Sequence, residues 1–218
     1  MMTRSPNAPS LTDQATRLLE ELVVLSELAP GSTVTEQELC DRLGLGRTPV
    51  REAVQRLAAQ RLLKVLPRRG ILVAQVEAME YLGLLETRRV LNRLMAQLAA
   101  VRASQDQRGE LRDCVLAMTG AVQRDDLKEY MRQDHRCYEI VQEAAGNPSL
   151  LQAMEPLHAH SRRFWCIYRH AWDLEEAARG QVAVMKAVIR GDEDGAGAAS
   201  DAQMDYLDRF ARAALDLD

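Results

Sequence analysis

Between Thr35 and Gln75 the apolar positions change their spacing twice. The run GRTPVREAVQRL (46–57), laid out at about 100° per residue, gathers Val50, Ala53, Val54 and Leu57 into one arc. Thr48, Arg51 and Gln55 occupy the adjoining arc with Arg47 at its edge, pointing away from that core. Pro49 is tolerated only in a first helical turn, which puts the helix start near Gly46 or Arg47. Upstream, the stretch from Thr35 to Leu43 predicts a short helix capped by Thr35, with Glu38 at the capping-box position and Gly44 ending it. Downstream the spacing becomes that of strands. Leu62 to Leu66 and Ile71 to Gln75 are apolar and partly β-branched, and Pro67-Arg-Arg-Gly70 between them reads as a turn with a basic tip.

From Met79 onward strand signals stop, and helical patterns run over 79–103, 105–124, 126–145, 148–171, 174–191 and 193–215. They break at Ser104, Asp125-Asp126, Gly146-Asn147-Pro148, Trp172-Asp173 and Gly191-Asp192, with Ser104 and Asp192 as N-caps and Gly146 as a C-cap. The fold class expected is mainly α. Residues 11–76 predict a winged helix-turn-helix with a small β-hairpin wing, after a loose arm at 1–10. Residues 77–218 predict an all-α antiparallel bundle of about six helices, an architecture that usually holds its ligand inside.

Composition changes this picture little and charge changes it more. At 218 residues, 47% apolar and 28% charged, the chain has enough material for one or two ordinary globular domains. No run approaches the ~18 apolar residues of a membrane span, and the N-terminal MMTRSPNAPS lacks the apolar stretch of a signal peptide. A cytoplasmic protein away from membranes is the expectation. Cys40, Cys114, Cys137 and Cys166 form no CxxC pair and read as reduced thiols in helices. The net charge is −4, yet between Arg42 and Gly70 eight basic residues face one acid, Glu52. Residues 1–76 carry ten basic and eight acidic side chains, and residues 77–218 carry 18 and 24.

Two arginines and a hydroxyl at a helix N-terminus add to backbone N–H groups and a dipole end that already favour phosphate. Arginine forks onto guanine O6 and N7, while the hydroxyl and amides hold the DNA backbone. A solvated arginine face is the alternative for an isolated RxxxR. The basic wing nearby argues for double-stranded DNA instead.

Pro30-Gly31, Glu38-Leu39, Leu45-Gly-Arg-Thr-Pro-Val-Arg-Glu-Ala53, Arg56-Leu57 and Pro67-x-x-Gly70 resemble the DNA-binding domain of GntR-type bacterial regulators, over residues ~10–76. The resemblance implies operator contacts by Arg47, Thr48 and Arg51, with Arg68 and Gly70 in the wing near the minor groove. Gln55 and Arg69 join them by position, and Gln37 holds a helix-two position where some members carry Arg. Gly46 stands where the family usually has Ser or Thr, removing a phosphate-binding hydroxyl. A homodimer on a palindromic operator is implied as well.

Glu86-Thr-Arg-Arg-Val-Leu91, Ala99-Ala100, Asp134-x-x-x-Tyr138, Ala144-Ala-Gly-Asn147 and Ala187-Val-Ile-Arg-Gly-Asp192 resemble the FCD effector domain of the same regulators, over ~78–215. Many such domains hold a divalent metal through an Asp, a His four residues later and two further His. Those positions here are Asp134, Tyr138, Gln181 and Gln203, so three of the four lack imidazole. His135 lies ~100° around the helix from Asp134, and His158 and His160 fall on different faces of theirs. The implied site is therefore polar and metal-free, with no cofactor. Asp134, Tyr138, Gln181 and Gln203 supply hydrogen bonds, and Arg88 matches a cavity-facing arginine suited to a small anionic effector such as a carboxylate. A salt bridge of Arg88 with Glu86 or Asp134 is the competing reading, and Asn92 stands where relatives often carry Glu.

Two other functions compete. One is a metal-dependent regulator with a weak site rebuilt around Asp134. The other is a helical enzyme with a DNA-binding head. Against the enzyme stand the lack of a Gly-rich phosphate loop, a nucleophile elbow or a catalytic triad spacing. A metal-storage bundle is disfavoured by the absence of Glu-x-x-His pairs.

Overall fold

A computed structural model describes residues 10–76, 78–170 and 173–215. Residues 1–9 of the expected arm, Glu77 and the helix break at Trp172 lie outside the described residues. The chain divides into two compact units, one of residues 1–77 with Arg162–Ile167, the other of 78–161 with 168–218.

The first unit begins with α1 (Leu11–Val24), capped by Ser10 in a reciprocal box with Asp13. Its buried Ala15, Leu19, Val23 and Val24 form one helical stripe. Next come β1 (Thr33–Val34), α2 (Glu36–Leu43) and α3 (Arg47–Ala59). Thr35 and Glu38 cap α2 reciprocally, and Gly44 ends it in the left-handed conformation, φ 65°. Helix α3 starts at Arg47 with Gly46 as an N-cap that offers no side-chain bond, and it buries Val50, Ala53, Val54 and Leu57, the arc read from the sequence.

The wing is larger than the expected hairpin. β2 (Leu63–Leu66) and β3 (Gly70–Val73) pair antiparallel with Lys64 opposite Leu72, and β1 adds a third strand on the far side of β3. That addition explains Gly70. Its φ is +98°, and a Cβ there would stand 2.8 Å from the Val34 carbonyl oxygen of β1.

The second unit contains α4 (Ala78–Arg102), α5 (Gln105–Gln123), α6 (Leu127–Ala145), α7 (Pro148–Tyr168) except for its residues Arg162–Ile167, α8 (Asp173–Arg190) and α9 (Glu193–Ala214). Ser104, Asp126 and Asp192 cap α5, α6 and α9 with their side chains, and Gly146 closes α6 at φ 57°. Helix α4 packs on α6, α8 and α9, and α5 packs on α6 and α8. Arg93 pairs with Asp201 across α4 and α9, and Arg89 meets Asp205 at 2.7 Å. No helix among the described residues is long and apolar enough to cross a membrane.

All four cysteines are free; Cys40, Cys114 and Cys137 are buried and Cys166 is half-buried. Cys114 and Cys137 meet in a side-chain hydrogen bond across α5 and α6. That bond, with burial, pushes the Cys137 thiol far above its ordinary value; at Cys114 the bond lowers the thiol against the opposing effect of burial.

Candidate nucleic-acid interface and effector cavity

The exposed surface of the first unit is assembled from α2, α3 and the wing. The apolar arc of α3 faces the core, which leaves Arg47, Thr48 and Arg51 in solvent at its N-terminal half and Gln55 in solvent one turn further on. The first turn of α3 holds no acidic residue, so nothing there neutralises the positive dipole end. Arg68 and Arg69 are exposed at the wing tip, where Arg68 takes a positive φ of 61° and Gly70 follows.

The arginines are not loose. Arg51 forks onto Glu36, with Nε donating to Oε2 at 3.0 Å and Nη2 to Oε1 at 2.8 Å. This bond holds the Glu36 carboxyl below its ordinary range, so the group is ionised at neutral pH. Arg47 Nη2 donates to Gln37 Oε1 at 3.0 Å, and Gln37 Nε2 donates to Asp41 Oδ1 at 2.9 Å. Arg56 is drawn away from this face by Asp13 of α1 at 2.7 Å. Glu52 is occupied by the Thr12 hydroxyl at 2.6 Å.

A small cavity of about 30 Å³ opens in the second unit, with walls from α4, α6, α7, α8 and α9. Four residues singled out in the sequence line it together: Arg88, Tyr138, Gln181 and Gln203. Asn92 and Ser200 add polar groups, while Met95, Val141, Val184 and Met185 supply apolar wall. Arg88 is buried and donates to the Ser161 hydroxyl, which shares a 2.8 Å hydrogen bond with the hydroxyl of Tyr81.

Asp134 stands one layer back. Its Oδ2 lies 3.8 Å from Nε2 of His158, a buried residue that does line the cavity. The spacing of His158 and His160 on different faces of their helix does not reveal the place of His158 on this wall. His158 arrives from α7, and no local spacing links it to the Asp134–Tyr138 pair on α6. His135 is half-buried beside Glu139 at 3.6 Å.

The donor set around the cavity does not fit a transition metal. Neutral amide oxygens at Gln181 and Gln203 bind such ions far more weakly than imidazole, and the Tyr138 phenol is stacked flat on His158. Among the described residues no three His, Cys, Asp or Glu side chains converge.

Residues 83–206 match the FCD domain, and residues 11–73 match the bacterial regulatory proteins of the gntR family. The chain belongs to the GntR family. As a GntR-family member with an FCD domain, it is a DNA-binding transcriptional regulator. It is 24% identical over 191 residues to the HTH-type transcriptional repressor RspR of Escherichia coli K12, covering 87% of this chain and 83% of that one. It is 27% identical over 172 residues to a probable D-xylose utilization operon transcriptional repressor of Paenarthrobacter nicotinovorans, covering 79% and 76%. Among solved structures, E. coli McbR/YncC superposes with a TM-score of 0.78 at 21% identity, covering 91% of this chain and 95% of that one, which speaks for the fold.

Proposed function

We propose that this GntR-family regulator reads a palindromic operator as a homodimer and that a small anionic metabolite in the FCD cavity tunes that binding, without a transition metal and without catalysis. The observation that carries the DNA half is the exposed cationic N-terminal half of α3. Arg47, Arg51 and Gln55 face base edges, while Thr48, Arg68, Arg69 and the Gly70 turn hold phosphates, with Gln37 bracing Arg47 from α2. The protein then works in the cytoplasm, on chromosomal DNA.

For the effector, support comes from Arg88, Tyr138, Gln181 and Gln203 sharing one cavity, in which a single buried guanidinium is surrounded by neutral donors. A carboxylate or phosphate fits that pattern. Its differential affinity for two arrangements of the protein is what would shift DNA binding. Pairing is supported by a stripe on α4. Val90 is 68% exposed, Leu94 42% and Val101 60%, on one face of the helix.

Arg51→Ala tests the DNA half. It should cost about 1–3 kcal/mol on a selected duplex and little on random DNA; equal losses on both would refute base reading. A thermal-shift screen of small carboxylates and phosphates, repeated with Arg88→Ala, tests the cavity. Stabilisation that survives Arg88→Ala removes Arg88 as the anchor. Stoichiometric zinc lost with Asp134→Ala would favour a rebuilt metal site instead.

A further inference from the structure

We propose that Glu36 is a positioning residue for operator reading: its carboxylate aims Arg51 and its charge penalises DNA that gives Arg51 nothing to grip. The proposal rests on the reading of α3 as the DNA-reading helix.

The geometry begins with the guanidinium. Arginine has two edges able to make a fork, one from Nε and Nη2 and the other from Nη1 and Nη2. Glu36 takes the first edge in two bonds of 3.0 and 2.8 Å. The terminal edge stays open, and a terminal edge is what forks onto guanine O6 and N7. Glu36 therefore does not compete with the base for Arg51. It fixes the long side chain before DNA arrives, and less rotamer freedom is lost on binding.

Arg47 provides the contrast on the same surface. It is braced by the neutral amide of Gln37, with the Asp41 carboxylate one residue further off. Of these two arginines, Arg51 is the one that carries a carboxylate directly. Glu36 opens α2, and its side chain is 31% exposed against 65% for Arg51, so the negative charge sits behind the cation. On the operator, the guanine fork repays the presence of that charge. On random sequence it remains as repulsion from phosphates, with no compensating base contact. Lowered random binding and retained operator binding together make the specificity ratio, the quantity that governs site occupancy in a genome.

The test uses full-length protein and two probes: a duplex enriched by the wild type from a randomised library, and the unselected library itself. Glu36→Gln keeps the side-chain length and one acceptor while removing the charge. It should bind the unselected library about 3–10-fold more tightly, with a steeper salt dependence, and its ratio of enriched to unselected affinity should fall about tenfold. Glu36→Asp keeps the charge but loses reach, so its ratio should fall with no gain on the unselected library. A purely structural role for Glu36 would lower both affinities in parallel, and that result overturns the proposal. An unchanged ratio in Glu36→Gln beside a collapsed ratio in Arg51→Ala overturns the buttress while α3 stands as the reading helix. An intact ratio in Arg51→Ala overturns both.

Discussion

The ring of Tyr138 lies flat on that of His158, with centroids 3.6 Å apart and planes within 6°. Tyr138 comes from α6 and His158 from α7, so the stack ties two helices together where they line the cavity. Both rings are buried, and Asp134 faces the outer nitrogen of His158 at 3.8 Å. The Tyr138 hydroxyl accepts from Gln142 Nε2 at 3.2 Å.

Packing and hydroxyl therefore separate cleanly. Tyr138→Ala should cost about 3–5 kcal/mol by removing a buried aromatic side chain. Tyr138→Phe keeps the ring and loses one long hydrogen bond, so it should cost about 1 kcal/mol or less. Chemical denaturation of the two variants checks this. Similar losses for both would mean that the hydroxyl, not the stack, holds the wall.

A second prediction follows from Arg108, which gathers helix ends. Its guanidinium donates to the carbonyls of Ala100 and Ala103 at the end of α4, at 2.8 and 3.1 Å. It also donates to Val188 and Ile189 near the end of α8, at 2.8 and 2.9 Å. Cations at helix C-termini also oppose the dipole. Arg108→Ala should destabilise the second unit by about 3 kcal/mol, since charge-assisted bonds are lost and half-buried carbonyls are stranded. Arg108→Lys should recover part of that, because an ammonium reaches fewer of the four acceptors. A melting temperature unmoved in Arg108→Ala would show that water satisfies those carbonyls.

What the sequence made legible is the long-period information. The arc of Val50, Ala53, Val54 and Leu57, the caps at Thr35, Ser104 and Asp192, and the six helices after Met79 follow from spacing and end chemistry alone. The two-residue strand Thr33–Val34 is too short to show a period, so the third strand of the sheet escaped notice. Ser161 as a partner of Arg88 and His158 as a cavity residue were equally invisible. Each reaches its neighbour from α7, across more than a dozen residues of chain, and periodicity reports only the face of a single helix. The Cys114–Cys137 contact escaped for the same reason.

The acid limb of stability has a predictable sign. Hydrogen bonds from Ser10, then Arg56, lower Asp13 from 3.8 to about 2, and those from Arg132 and Gln133 lower Glu129 from 4.5 to about 2. A depressed folded-state pKa contributes stability that is complete above the unfolded value and is lost as pH falls through the folded one. The melting temperature should therefore hold above pH ~5 and fall between pH ~4.5 and ~2. Both groups sit near the surface, so the slope should be shallow and should flatten further in salt. Asp13→Asn should show a smaller acid loss than the parent. An identical slope in the two proteins would remove Asp13 from the account.

The cavity makes a gain-of-function prediction. Tyr138, Gln181 and Gln203 are the positions that, by resemblance to metal-holding FCD domains, would carry histidine beside Asp134, and all three line one cavity. Replacing them together, Tyr138→His with Gln181→His and Gln203→His, should bring three imidazoles into reach of one ion. The triple variant should bind zinc stoichiometrically and melt higher in its presence, by about 2.7 kcal/mol of added stability at a hundredfold excess over Kd. The parent should show no such response. His158 complicates the outcome, because the Tyr138 ring now stacked on it would become a ligand with its own directional demand. Each single replacement offers one imidazole and should bind weakly, so the gain should appear only when the substitutions are combined. A triple variant that folds, by its unfolding profile, yet takes up no zinc would show that Gln181 or Gln203 does not hold the register of the family's histidines.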